Sequence, residues 1–474
     1  MAGLANGHLI GMVPVKLQTG NEFMEASNKL TTIDLFAGAG GLSEGFHNAG
    51  FQTLFANDQE KAAVKTFLRN HPETKASSEP IESLDPLELM EELGLKPGEL
   101  DALIGGPPCQ GFSTYGKRDE ADTRNQLYMH FLRFLDAFQP KAFVIENVTG
   151  ILSMSGGAVV EDITERLRGL GYGVSVWKLD AREYGVPQRR KRVFITGLAD
   201  GGQLCFPVAT NSLTKEDPAT ADLFGKKLPM PFTIRDAISD LPVATRKPRE
   251  THEAMAYQSH PKTAYQKLMR EGSKDLSNHS SKQMLGIRRL RLALLHPGDW
   301  GKNIEARLSE NGLPEDVIDR MLGGEEGLRD VNQCRKQDRE KELALREMLT
   351  AGNTSIDQIM AFMDSQGFAN KYRRLHWDEP SHTLVAHMAR DCSDFVHPKI
   401  DRFISVREAA RLQSFPDRFY FEGSQFMQLK QIGNAVPPRL GEAVARAVSA
   451  SIRQHCPRQS PQIRHDPQKM AALG

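Results

Sequence analysis

From Thr31 to about Gly197 the chain alternates short apolar runs with helix-like stretches, and this alternation constrains the fold more than any other feature. The strand candidates are residues 31–36, 51–57, 101–105, 141–146, 173–179 and 192–197. The helix candidates are 42–49, 59–69, 126–138 and 158–169. Strand, helix, strand at this spacing predicts an α/β fold with a mostly parallel, doubly wound sheet. Such sheets bind their ligands beyond the carboxyl ends of the strands.

The rhythm stops near residue 200. Pro- and Ser-rich loops, then charged amphipathic stretches such as 336–349 and 355–366, fill the chain to about residue 400 and read as a second domain. The expected division is a flexible leader over 1–28, a main domain from 29–210 with 425–456, a smaller irregular domain over 211–424, and a disordered polar tail over 457–474. The Ala/Val-periodic stretch 437–453 suits packing back on the main domain. A chain of 474 residues is long enough for two such cores.

Composition narrows the classes. Lys plus Arg and Asp plus Glu each number 60, so net charge announces no nucleic-acid partner and a local basic surface would have to supply one. The cysteines (109, 205, 334, 392, 456) are odd in number and scattered, which points to a reducing compartment without a disulfide framework. The first residues lack a signal-peptide pattern, and no apolar run approaches a membrane span. A soluble, cytoplasmic protein is expected, and no metal site is implied.

Two segments carry chemistry. Thr32-Ile33-Asp34-Leu35-Phe36 runs into Gly38, Gly40 and Gly41, a strand entering a glycine turn and then a helix. Glycines there let backbone approach a ligand above the helix N-terminus. Asp58 follows about 20 residues later, at the end of the next strand, where a carboxylate usually accepts from ribose hydroxyls. The dinucleotide pattern G-x-G-x-x-G fails at Ser43, and a purely structural turn stays open.

The second segment is Gly105-Gly106-Pro107-Pro108-Cys109-Gln110-Gly111-Phe112-Ser113, entered from the apolar run 101–104. Two glycines and two prolines force a turn and set one thiol, Cys109, on a rigid loop at a strand end. Taken alone, the segment equally suits an ordinary buried cysteine.

Matching parts follow in order: Glu146-Asn147-Val148, then Gln188-Arg189-Arg190-Lys191-Arg192, then residues 407–416, then Gly433-Asn434-Ala435-Val436-Pro437-Pro438. Together with residues 34–41 and 105–113 this series resembles the cytosine-C5 DNA methyltransferase family over nearly the whole chain. The resemblance implies a Rossmann-like S-adenosylmethionine-dependent methyltransferase domain with a smaller target-recognition domain. It further implies methyl transfer to C5 of a cytosine flipped out of a specific sequence in double-stranded DNA.

By that resemblance Phe36 stacks on adenine, Gly38, Gly40 and Gly41 face the methionine part, and Asp58 holds the ribose. Ile81, Pro107, Leu127 and the Asn434-Ala435-Val436 backbone complete the pocket. One departure stands out. Many members carry Gly-Asp-Ile where this chain has Glu79-Pro80-Ile81, so Glu79 or Asp85 replaces the aspartate or its hydrogen bond is missing.

Cytosine C5 is a poor nucleophile, and addition of a thiolate at C6 would make an electron-rich enamine. Cys109 is the one motif cysteine for this step, and a positive field would have to favour its thiolate. Glu146, at the end of the strand 141–145, is the candidate proton donor to N3, since a desolvated carboxyl keeps its proton longer. Its residue context alone also fits a helix-cap or loop carboxylate. Side chains alternate along a strand, so Arg190 and Arg192 share one face and Arg189 and Lys191 the other. The resemblance puts Arg192 on cytosine O2 and makes Arg190 an orienting group, while Arg189 and Lys191 read as solvated.

Gln110 and Ser113 are DNA-contact candidates in the cysteine loop. In the second domain, 235–376 is the expected sequence-reading stretch, with Arg288, Arg291, Arg373 and Arg374 as candidate contacts. The 407–416 motif reads as structural support. A tRNA-directed C5 methyltransferase would share every motif, and a non-catalytic DNA-binding relative is a further alternative. An amino-directed enzyme is disfavoured because Pro-Pro-Cys stands where those families carry Asp/Asn-Pro-Pro-aromatic. The expected partner is DNA, with a cognate restriction endonuclease acting separately where the chain belongs to such a pair, and the expected state is a monomer.

Overall fold

The computed structural model describes residues 29–108, 127–214, 227–245, 254–281, 284, 286–322, 336–351, 355–363, 371–390 and 392–455. The strands are β1 (Leu30–Leu35), β2 (Phe51–Asn57), β3 (Lys75–Ser77), β4 (Ala102–Gly105), β5 (Ala142–Val148), β6 (Gly173–Asp180), β7 (Gln188–Arg189), β8 (Lys191–Leu198) and β9 (Ser381–His382). Seven of them form one sheet in the order β3-β2-β1-β4-β5-β8-β6, and β7 pairs separately with β9. β8 runs antiparallel to both neighbours, and the pairs from β3 to β5 are parallel.

Parallel strands covered on both faces read as unbroken apolar runs. Leu103, Ile104, Phe143 and Val144 accordingly have no exposed surface. The strand order reverses between β1 and β4, which opens a crevice beyond their carboxyl ends. Both chemistry-bearing segments of the sequence leave the sheet there.

Helices α1 (Gly41–Asn48), α2 (Lys61–Asn70), α3 (Pro86–Glu92), α4 (Leu127–Phe138) and α5 (Ala158–Gly169) connect these strands. α3, α4 and α5 bury Leu89, Phe131, Phe134, Leu135, Ile163 and Leu167 on one face of the sheet. α1 and the final helix cover the other face. β3 and α3 were not foreseen: Lys75-Ala76-Ser77 has no apolar run, and α3 is short and follows Asp85-Pro86.

Beyond the sheet lie α6 (Ile234–Ile238), α7 (Ala264–Arg270), α8 (Gly286–Ala293), α9 (Asn303–Asn311), α10 (Glu315–Leu322), α11 (Lys336–Thr350), α12 (Ile356–Met363), α13 (Val406–Leu412), α14 (Gln425–Asn434) and α15 (Pro438–His455). They enclose two further cores. One joins α6, α7, α13 and α14 through Ile234, Tyr265, Leu412 and Ile432, and it includes Ala39 of the glycine turn. The other joins α8 to α12 through Leu290, Ile304, Val317, Leu345 and Ile359. The amphipathic stretch 336–349 lies on α11 and 355–366 contains α12, and the part expected as Pro- and Ser-rich loops carries α6 to α10 as well. The interval 235–376 starts inside α6 and spans parts of both cores.

The 407–416 motif is part of the first of these cores. Arg411 is wholly buried, 2.6 Å from Asp240 and 2.6 Å from Asp417. Arg407 donates to the carbonyls of Ser277, Pro416 and Phe419. α15 lies on α1, and its Leu440, Val444 and Val448 fill the core beneath the sheet.

Candidate active site

β1 ends in a turn that the residues themselves over-determine. Phe36 and Gly38 both have φ 57°, and Gly40 has φ 89°, which favours glycine. The Ala37 amide donates to the Asn57 carbonyl at 2.9 Å. The Gly38 amide donates to Asp58 Oδ2 at 2.9 Å, and the Glu60 amide donates to Asp58 Oδ1 at 2.8 Å. Asp58 thus clamps the turn, and a carboxylate has lone pairs left for further donors. Burial raises its pKa against the pull of the two amides.

Gly41 explains how the distant 434–436 segment reaches this turn. A Cβ on it would lie 2.3 Å from the Val436 carbonyl oxygen and 3.1 Å from Ala435 Cβ. Only a bare α-carbon allows that approach. Ile81 belongs to the adjoining core, with Phe36 and Leu127 packed against it. Asn434 is exposed, Ala435 half-buried and Val436 buried. The Ala435–Val436 backbone thus meets the glycine turn, and Phe36, Ile81 and Leu127 belong to the core on the neighbouring face of the sheet.

The missing aspartate has a partial answer. Asp85 caps α3 by accepting from the Leu87 and Glu88 amides, so it is committed elsewhere. Glu79 is exposed, and its carbonyl accepts from Asn57 Nδ2 at 2.8 Å. Asn57, which the sequence did not flag, steers this segment.

Glu146 lies within β5, which continues to Val148, rather than at a loop or helix cap. Its Oε1 is 2.9 Å from Arg192 Nε, and both side chains are 12% exposed. Burial raises the Glu146 pKa, and the nearby Arg192 and Arg190 charges oppose that rise without cancelling it. The chain leading to Cys109 passes directly over this carboxyl, since a Cβ on Gly106 would stand 3.4 Å from Glu146 Oε2. Asn147 Nδ2 donates to the Pro107 carbonyl at 2.9 Å and fixes that approach. Asn147 was legible only as a neighbour of Glu146. Cys109, Gln110 and Ser113 lie outside the described residues.

Arg190 and Arg192 differ in use. Arg190 is wholly buried and donates to the carbonyls of Leu384, Gly433 and Ala435 at 2.6, 3.2 and 2.9 Å. Arg190, expected as the orienting member of the catalytic set, thus has its terminal N–H groups on backbone carbonyls. Gln188, on β7 just before Arg190, bonds the Leu412 carbonyl and the Leu384 amide. Arg189 is exposed and pairs with Glu379 at 2.7 Å, and Lys191 is exposed.

The four arginines expected to touch DNA separate as well. Arg374 is 3% exposed and is spent on the carbonyls of His397 and Leu292 and on Asp401 at 2.6 Å. A contact to DNA by Arg374 is therefore ruled out in this fold, because its guanidinium is locked into the core. Arg288 is exposed on α8. Arg291 is half-buried, its guanidinium 5.9 Å from the Tyr372 ring centroid. Arg373 is half-buried against Trp300.

A glycine turn after β1, a loop after β4 and one antiparallel strand in a seven-stranded sheet define an α/β fold of the S-adenosylmethionine-dependent methyltransferase type. A solved structure described as a prophage-encoded DNA modification methyltransferase of E. coli shares it, with a TM-score of 0.62 at 23% identity, covering 90% of this chain and all of that one. The family model for C-5 cytosine-specific DNA methylases matches residues 30–450. The Type II methyltransferase M.AgeI of Thalassovita gelatinovora is 57% identical, over 89% of this chain and 100% of its own length. The Type II methyltransferase M.DdeI of Desulfomicrobium norvegicum is 34% identical, over 89% of this chain and 88% of its own. The chain belongs to the C-5 cytosine-specific DNA methylase family and is a DNA cytosine-5 methyltransferase.

Proposed function

We propose that this chain methylates C5 of a flipped-out cytosine in one specific sequence of double-stranded DNA, through a covalent bond between Cys109 and C6. The observation that carries the reading is the Glu146–Arg192 pair beneath the segment that enters the Cys109 loop.

The crevice suits S-adenosylmethionine. The glycine turn, the Asp58 carboxylate and the apolar wall of Phe36, Ile81 and Leu127 offer a nucleoside both a hydrogen-bonding and a stacking side. Gly38, Gly40 and Gly41, Pro107 and the Asn434–Val436 backbone would hold the remainder. Bound there, the cofactor supplies the methyl group.

The chain's own residues do the rest. The Cys109 thiolate adds to C6, forming the C–S bond and pushing electron density to N3. Glu146, whose raised pKa lets it carry a proton, donates that proton to N3. Arg192 holds the carboxyl in place and offers N–H donors to the cytosine O2. After methylation a solvent base takes the C5 proton, the freed electron pair forms the C5=C6 bond as the C6–S bond breaks and releases the Cys109 thiolate, and the N3 proton returns to the Glu146 carboxylate. A base must leave the duplex to reach this site, at a cost of a few kcal/mol.

Recognition of sequence falls to the part of the chain between β8 and α13. The Type II designation of both relatives supports a place beside a cognate endonuclease. The test is methylation of duplex DNA and of tRNA with labelled S-adenosylmethionine. Label on duplex cytosine, absent with Cys109→Ser, is the expected result; label confined to tRNA contradicts it.

A further inference from the structure

Arg373 and Arg374 are adjacent in sequence and opposite in use. Arg374 is buried with carbonyl and carboxylate acceptors, as described above. Arg373 makes no side-chain hydrogen bond or ion pair to any described residue. Its guanidinium instead lies 4.8 Å from the centroid of the Trp300 ring. The backbones of Trp300 and Arg373 also form an antiparallel bridge, so ring and cation are fixed to one another from below.

The nearby charges do not satisfy it. Arg189 is close enough, with burial, to disfavour the charged form of Arg373. Glu379, which could compensate, is engaged by Arg189 at 2.7 Å. Asp394 is the other carboxylate nearby, but it makes no ion pair with Arg373, so the guanidinium is half-buried and stacked with its donors unfilled among the described residues. A planar five-donor fork held that way has lost little freedom still to lose on binding. Stacking on tryptophan stiffens the plane without occupying the donors.

Its location ties it to the reaction. Arg189 pairs with His382 in the β7–β9 ladder, and Thr383 Oγ1 donates to the Arg189 carbonyl at 2.6 Å. The next residue, Arg190, grips the Leu384 carbonyl, and Arg192 reaches Glu146. Arg373 therefore lies close to the His382 end of that ladder, while its ring partner Trp300 stands just ahead of α9.

We infer that Arg373 is a sequence-reading residue that contacts guanine O6 and N7 bidentately, with Trp300 holding its plane, at a base pair close to the target cytosine. Bidentate arginine to guanine is the commonest specific contact in the major groove, and a guanidinium held in one plane is pre-set for such two-acceptor recognition. The inference rests on the chain acting on duplex DNA.

The experiment first maps the methylated sequence by bisulfite sequencing of DNA treated with the full-length enzyme. Duplexes with each base pair of that site substituted in turn are then assayed for kcat/KM with wild type, Arg373→Gln, Arg373→Lys and Trp300→Phe. Arg373→Gln is expected to lose roughly 5- to 150-fold on the native site, the range of one bidentate pair at 1.4 kcal/mol per tenfold. It should also lose discrimination at a single G·C pair and keep it at every other. Arg373→Lys retains charge without the fork and is expected to behave similarly, while Trp300→Phe should show a smaller loss at the same pair.

Equal loss on all duplexes, with a shallower salt dependence and recovery by lysine, would make Arg373 a phosphate contact and overturn the inference. So would unchanged discrimination in a folded Arg373→Gln or Arg373→Lys enzyme. A wild-type enzyme that methylates no duplex overturns the functional reading itself, a result separable from both.

Discussion

Arg192 on β8 reaches diagonally across the antiparallel β5–β8 pair to Glu146, two residues from its direct partner Val148. Diagonal neighbours on one sheet face lie within reach of a long side chain. The result is a buried carboxyl whose pKa is pushed up by desolvation, beside a cation that limits the rise. Such a group keeps its proton to higher pH than a solvated carboxyl does and can give it up at a defined atom.

Glu146→Gln should lower turnover by roughly 10²–10⁴, the usual worth of a general acid, and leave cofactor affinity nearly unchanged. The pH dependence has a definite sign. Because the protonated form acts, kcat should fall as pH rises past the raised pKa. Arg192→Gln removes an opposing charge and should move that falling limb to higher pH. Single-turnover rates across pH would show it, and a limb moving the other way would contradict the assignment.

Asp58 clamps the Gly38 amide and faces the proposed ribose position, so its removal should be felt in binding. Asp58→Ala should weaken S-adenosylmethionine binding by roughly 1.5–3 kcal/mol, as for a hydrogen bond to a charged group. Calorimetry without DNA reads this directly. Unaltered affinity would reassign the residue to the turn alone.

Asp34 is 1% exposed, accepts from Ser43 Oγ at 2.6 Å and has no partner on Oδ1 among the described residues. Burial chiefly, with the Asp58 charge adding and the Ser43 hydrogen bond opposing, raises its pKa to about 7. The folded chain then keeps a proton that the unfolded chain has lost, so stability falls as pH rises from about 4 toward about 7. Between pH 5 and 8 the loss is about 3 kcal/mol at 1.36 kcal/mol per pK unit. Asp34→Asn should abolish that part of the slope in denaturant titrations. A slope identical to wild type would show that Asp34 does not titrate in this range.

Arg374→Met should destabilise by roughly 3–5 kcal/mol, since it leaves Asp401 buried without its cation. Arg288→Ala, on an exposed helix face, should stay within about 0.5 kcal/mol. Thermal melts of the two variants separate structural from surface arginines.

Those two arginines show where sequence reading ends. The sheet was legible because its strands are apolar runs of ordinary length: 51–57 and 158–169 coincide with β2 and α5. The glycine turn and Asp58 follow β1 and β2 directly, and Glu146 and Arg192 lie near the paired ends of β5 and β8, so the strand pattern marked all four. Arg374 resembled Arg373 in sequence, and only tertiary packing decides that one faces Asp401 and the other Trp300. For the same reason the sequence did not show that Arg190 holds the Leu384, Gly433 and Ala435 carbonyls, since strand alternation tells which side a residue faces but not what waits there. Asn57, Asn147 and Gln188 act by bonding backbone far along the chain, a role with no local pattern.

The most direct measurement of the central claim uses a duplex bearing 5-fluorocytosine at the mapped target position, incubated with S-adenosylmethionine and the enzyme. Fluorine at C5 cannot leave as a cation, so a covalent adduct should persist under denaturing conditions. Peptide mass spectrometry should place the modified base on Cys109, and Cys109→Ser should give no adduct and no methylation of the normal duplex. Methylation by Cys109→Ser, or an adduct on another residue, would contradict the account.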